Sequence, residues 1–257
     1  MQLHFRTCGE GFPLIILHGL LGSLDNWQPL SRKCGAHFKV FAVDQRNHGC
    51  SPHSDEFGYD VMSQDLLEFM DTHGLASAHL LGHSMGGKTA MHFALRHPDR
   101  VGKLVVVDMA PRAYPPRHAA TFEALLALDL KAFHQREQID AALAGAVPET
   151  GLRQFLLKNV RRDSAGAFRW KVNLRSIFGN FHHLNAALAS DRRFPRPALF
   201  VRGEKSDYVR DADADLIRRN FPQAEIQTIP GAGHWVHADA PELFLKLVVD
   251  FLGRPEI

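Results

Sequence analysis

Cysteine is scarce: Cys8, Cys34 and Cys50 are the only three in 257 residues, an odd and scattered set. That excludes a disulfide framework and a cysteine-based metal knuckle. Blocks of one charge are missing too. Thirty basic and 28 acidic residues are mixed along the chain, for a formal charge of +2. With no basic or basic-aromatic run, nothing points to nucleic acid. Pairs such as Arg161-Arg162 and Arg192-Arg193 read as solvated surface. No apolar run approaches the roughly 20 residues that span a bilayer. The start, M-Q-L-H-F-R-T-C-G-E-G, has no basic segment leading into an apolar one. A cytoplasmic protein is therefore expected. Internal repeats and low-complexity tracts are absent as well.

What is present is a rhythm. Short, nearly continuous apolar runs occupy residues 14–17, 40–43, 78–81, 104–107 and 198–201, with a weaker one at 226–229. Runs this brief and without alternation fit strands covered on both faces, as in a parallel sheet. Helical patterns lie between them. At 60–73, Val61, Met62, Leu66, Leu67, Phe69 and Met70 recur at helical spacing. Residues 85–97 form a second pattern that Pro98 stops, and 241–252 form a third that opens on proline. The alternation predicts an α/β protein with a doubly wound, mostly parallel sheet. It breaks at about 112–190, which reads as helices without a clear buried strand. The expected division is a core of residues 1–111 and 191–257 with a helical cap insertion at 112–190.

The stretch L-L-G-H-S-M-G-G-K, residues 80–88, sets one serine among glycines where a strand gives way to a helix. A G-x-S-x-G turn there is so tight that residues two before and two after the serine meet other backbone, so Gly82 and Gly86 leave no room for a Cβ. Ser84 is then strained, exposed above the sheet, and faced by the first amides of the next helix. Gly87 lets that helix pack closely. Ser84 is the candidate nucleophile.

A serine nucleophile needs a base and an anion-stabilising pair of donors. Of 16 histidines, His234 is distinguished by I-P-G-A-G-H-W-V-H, a Gly-rich turn after the last run and before the last helix. This puts it at the strands' C-terminal edge, level with Ser84. His237 is the nearest rival and is expected to face elsewhere. The first clear run ends in L-H-G-L-L-G-S, residues 17–23, where Gly19 permits a tight turn. The amides of Leu20 and Met85 are the expected oxyanion donors. His18 reads as a brace for its loop.

The segments H-G-L-L-G-S-L-D-N-W, D-Q-R-N-H-G-C-S-P, G-H-S-M-G-G-K, V-V-D-M-A-P, W-K-V-N-L and G-A-G-H-W-V-H-A together resemble the α/β-hydrolase fold superfamily across the whole chain. Within it they are most similar to the YbfF-type esterases and their abhydrolase-domain relatives. The resemblance implies the α/β-hydrolase fold, with the cap after the sixth strand of the family's count. It also implies carboxylic ester hydrolysis through an acyl-enzyme on a Ser-Asp-His triad, with no metal or organic cofactor. The substrate is expected to be a small-molecule acyl ester or thioester with a small to medium acyl chain. The assembly is expected to be a monomer or homodimer. The chain order serine, acid, histidine is that of the hydrolases.

Two acids compete. The usual position, three residues after the glycine of R-G-E-K-S-D-Y-V, holds Ser206, with Asp207 one residue late. The YbfF-type pattern instead implies the aspartate ending the sixth strand, Asp108 in K-L-V-V-V-D-M-A-P, and this is the preferred assignment. In D-Q-R-N-H-G-C-S, Asp44 and Arg46 are read as ties, Gly49 as a turn residue, and Asn47 and His48 as scaffold or cavity lining. Cys50 has no visible activating partner. Phe122, Leu125, Phe155, Phe168 and Trp170 are candidates for an apolar acyl wall. An acyl-CoA thioesterase, a carbon–carbon bond hydrolase or lyase of the same fold, and a non-catalytic ligand-binding module remain as alternatives.

Overall fold

In the computed structural model, which describes residues 1–255, the apolar runs assemble into one seven-stranded sheet. The strands are β1 (Phe5–Cys8), β2 (Pro13–Leu17), β3 (Lys39–Val43), β4 (Ala78–His83), β5 (Val101–Val107), β8 (Ala198–Gly203) and β9 (Ala224–Ile229), in the spatial order β1-β3-β2-β4-β5-β8-β9. Every pairing is parallel except β1 against β3. Side chains alternate between two apolar layers. Leu14, Ile16, Val105 and Val107 point into one, and Ile15, Leu17, Leu104 and Val106 into the other. Covering both faces requires apolar residues at consecutive positions, which explains the uninterrupted runs.

Helices α1 (Gln28–Cys34), α10 (Val236–Asp239) and α11 (Pro241–Leu252) fill the first layer through Leu30, Cys34, Val236, Phe244, Val248 and Phe251. Helices α2 (Tyr59–Thr72) and α3 (Met85–Arg96) pack against each other over the opposite face. Helix α9 (Ala214–Asn220) joins that layer through Ile217. No helix among the described residues is long and apolar enough to cross a membrane.

Between β5 and β8 run α4 (Ala119–Ala127), α5 (Arg136–Leu143), α6 (Thr150–Leu157), the antiparallel pair β6 (Val160–Arg162) and β7 (Phe168–Trp170), then α7 (Leu174–Gly179) and α8 (Phe181–Asn185). The hairpin adds two short, mostly exposed strands to the helices expected over 112–190. Its strands have three residues each, too few for any periodicity to register. The turn between them is fixed by Asp163, whose side chain accepts from the Ala165 and Ala167 amides. Phe122, Leu125, Ile139, Leu156 and Ile177 of this segment are buried in the same cluster as the α2–α3 face of the sheet. Its end is tied down by three bonds. The Tyr59 hydroxyl donates to Leu184 O at 2.8 Å, the Tyr114 amide to Asn185 O at 2.8 Å, and Lys88 Nζ to Ala186 O at 2.6 Å.

Candidate active site

Ser84 is the single residue between β4 and α3, with φ 53° and ψ −116°. A serine at positive φ costs on the order of 1–3 kcal/mol and persists only where its surroundings fix it. Here its amide donates to Val107 O at 3.0 Å, and its carbonyl accepts from the Lys88 amide at 3.0 Å. The glycines make the bend possible. A Cβ on Gly82 would sit 2.2 Å from Gly86 O, and one on Gly86 would sit 2.4 Å from Leu17 O.

His234 reaches this serine from the loop between β9 and α10. Its Nε2 lies 3.1 Å from Ser84 Oγ, and its Nδ1 lies 2.7 Å from Asp108 Oδ2. A carboxylate only accepts, so Nδ1 carries the proton and Nε2 is left to accept from the serine hydroxyl. The ring is otherwise wedged. Tyr208 stacks on it at 3.8 Å and 19°, and His83 Nε2 donates to the His234 carbonyl at 2.9 Å. Burial holds His83 well below the usual histidine range, so that neighbour is neutral.

Asp108 follows β5 at φ 50° with no exposed surface. Its amide donates to Val201 O at 2.8 Å, and its Oδ1 accepts from the Gly203 amide at 3.3 Å. The Ser206 hydroxyl donates to Oδ2, the oxygen that faces His234. Asp207 lies elsewhere. Its side chain is 58% exposed and makes a two-pronged pair with Arg117, both contacts at 2.6 Å. That guanidinium's hydrogen bonds hold the Asp207 carboxyl below the usual carboxylate range. The structure thus brings together Ser84, His234 and Asp108, and leaves Asp207 on the surface.

The other expected residues fall out as follows. His237 is in α10, its ring stacked on Trp27 at 4.2 Å, and burial pushes it down to about 3. His18 donates from Nδ1 to Gly19 O and accepts the Gln45 amide at Nε2, a brace between the β2 and β3 loops. Leu20 and Ser84 line the same cavities, and Met85 opens α3, where first-turn amides have no intrahelical acceptor. Asp44 accepts the Leu24 and Cys50 amides, and Arg46 is paired with Asp65. His48 accepts the Leu21 amide and Asn47 the Ser54 amide. Both belong to the scaffold and neither lines the cavities at Ser84. His4, Asp44 and Cys50 hold potential metal-ligand atoms within 4.8 Å of one another, but both Asp44 oxygens are already used on backbone amides.

Two cavities open at Ser84. One of about 310 Å³ is walled by Trp27, Leu152, Phe155, Leu156, Trp235 and the ring of His234. The other, of about 50 Å³, is bounded by Met85, Met109, Phe181, Leu184 and the rings of Tyr59 and Tyr114. Of the five residues expected to form the apolar wall, only Phe155 reaches a cavity. Phe122, Leu125 and Phe168 are buried in the core, and Trp170 packs partly buried against it. Phe122 stacks on Phe178 at 5.7 Å, so its bulk stabilises the insertion. Spacing marks such residues as apolar without saying which inner surface they face. Ser206, Tyr208 and His83 were missed as site residues. Only Ser206 left a sequence trace, since it stands where the family's acid is usually found.

The chain belongs to the alpha/beta hydrolase fold family, whose pattern matches residues 13–241. It is 42% identical over 248 residues to a mouse (Mus musculus) protein named sn-1-specific diacylglycerol lipase ABHD11, covering 93% of this chain and 80% of the relative. It is 36% identical over 242 residues to Esterase YbfF of Escherichia coli strain K12, covering 94% and 93%. A solved structure described as a marine microorganism esterase superposes with a TM-score of 0.94 at 44% identity, covering 97% of this chain and 99% of that one.

Proposed function

We propose that this ester hydrolase cleaves carboxylic esters by way of an acyl-enzyme on Ser84, with His234 as general base and acid and Asp108 as the orienting carboxylate. Ser84 Oγ attacks the acyl carbon while its proton passes to His234 Nε2. Asp108 stabilises the imidazolium, and the Leu20 and Met85 amides hold the oxyanion. As the C–O bond breaks, His234 returns the proton to the leaving alcohol. Water then gives a proton to Nε2, attacks the acyl carbon and releases the acid, with Ser84 recovering its proton. The single observation that carries this reading is the unbroken line from Ser84 Oγ through His234 to Asp108, at 3.1 and 2.7 Å. The relatives named as esterases and as a lipase support an ester as substrate. Residues 112–190 act in this reading as a cap, since Leu152, Phe155 and Leu156 wall the larger cavity.

A hydrolysis panel of p-nitrophenyl esters of increasing chain length and acyl-CoA thioesters, run beside Ser84→Ala, tests the proposal. Ester turnover should exceed thioester turnover and fall on the order of 10⁴-fold or more in the variant. Equal turnover by the variant would refute it.

A further inference from the structure

We infer that the two cavities divide an ester between them, the acyl chain entering the narrow one and the alcohol the wide one. The preferred substrate is then a short-chain acyl ester of a larger apolar alcohol. This rests on the acyl-enzyme reading above and adds a direction to it.

The direction follows from where the proton must go. When the tetrahedral intermediate collapses, the alcohol oxygen lies within hydrogen-bond reach of His234 Nε2, because that nitrogen protonates it. The alcohol therefore extends into the space that His234 borders. His234 lines the wide cavity and not the narrow one. The acyl carbon stays bonded to Ser84 with its oxygen toward Leu20 and Met85. Met85 lines the narrow cavity and not the wide one, so the acyl chain continues there. Leu20, Ser84 and His118 border both and mark the junction where the ester bond sits.

Size and stiffness make the division selective. The narrow cavity, at about 50 Å³, is roughly a sixth of the size of the wide one and so takes the shorter arm of the ester. Two rings in its wall are pinned by hydrogen bonds. The Tyr59 hydroxyl is held by Leu184 O at 2.8 Å and the Tyr114 hydroxyl by Tyr208 O at 2.7 Å, leaving ring surface toward the cavity. The wide cavity, at about 310 Å³ among Trp27, Phe155 and Trp235, takes an alkyl or aryl alcohol of several carbons.

Hexyl acetate and methyl heptanoate are isomers that place the same carbons on opposite sides of the ester, and their kcat/KM ratio reads the division directly. The wild-type protein should favour hexyl acetate by about 30-fold or more, within the range one or two misplaced methylenes produce in a fixed pocket. Leu184→Ala should raise kcat/KM for methyl heptanoate and shrink the ratio at least threefold. Met109→Ala, which opens the same cavity from another side, should do likewise. A wild-type ratio at or below one, alongside normal ethyl acetate hydrolysis and covalent labelling of Ser84 by a small phosphonate, would overturn the division while leaving the acyl-enzyme intact. Loss of ethyl acetate hydrolysis and of labelling would overturn both.

Discussion

The Ser206 hydroxyl donates to Asp108 Oδ2, the same oxygen that lies 2.7 Å from His234 Nδ1. A serine thus stands at the loop position where the family resemblance leads one to expect an acid, and in the proposed triad it supports Asp108 at the end of β5. A hydrogen bond to a charged group contributes about 1.5–3 kcal/mol. Ser206→Ala should lower kcat by roughly tenfold with KM little changed, because the bond orients the carboxylate and does not touch substrate. Steady-state kinetics on a short-chain ester reads this, and an unchanged kcat would remove Ser206 from the site.

The two aspartates make opposite demands. Asp108→Asn leaves an amide where His234 Nδ1 needs an acceptor and should cost on the order of 10⁴-fold in kcat. Asp207→Asn breaks an exposed pair with Arg117, a kind that contributes about 1 kcal/mol or less, and should leave kcat within about threefold. Circular dichroism on both variants checks that the fold persists. The reverse ranking would move the acid to the surface loop.

The serine bend has its own test. Gly86→Ala drives a Cβ to 2.4 Å from Leu17 O, between an α3 and a β2 that cannot separate cheaply. Melting should drop by about 5 °C or more, or the protein should fail to fold. Gly151→Ala in α6 meets nothing within 4 Å and should be neutral or slightly stabilising. Similar melting temperatures for both variants would mean that the turn is looser than described.

Buried neutral histidines make the fold acid-sensitive. Burial pushes His18 down to about 4 and His48 to about 3, whereas in the unfolded chain both titrate near 6.5. Between those values the unfolded state holds more protons, so stability is lost as pH falls from about 6.5 toward 4. At pH 5 each costs up to about 2 kcal/mol, a sizeable share of a typical 5–15 kcal/mol total. Urea midpoints at pH 7, 6 and 5 should fall steadily, and a flat profile would contradict the neutral assignment.

Much of this was legible because the physics is local. Runs such as 104–107 are apolar at every position because the sheet is covered twice, and G-H-S-M-G is glycine-flanked because its neighbours are backbone. His234 could be singled out by its loop alone. β1 could not, since Phe5–Cys8 is a half-exposed edge strand of four residues. The hairpin of β6 and β7 escaped for the same reason of length. Phe122 and Phe168 look like cavity walls in sequence and are core in the structure, because spacing does not report which side of an insertion faces the substrate. Tyr208 stacks on His234 from a loop whose path depends on Arg112, Arg117 and Tyr114, residues about 90 positions away.

The most direct measurement is intact-mass and peptide mass spectrometry of the protein after exposure to a p-nitrophenyl phosphonate. A single adduct on the peptide containing Ser84, absent in Ser84→Ala and formed far more slowly in His234→Ala, is the expected result. An adduct on another residue, or equal labelling of all three proteins, would contradict the assignment of Ser84 as the nucleophile.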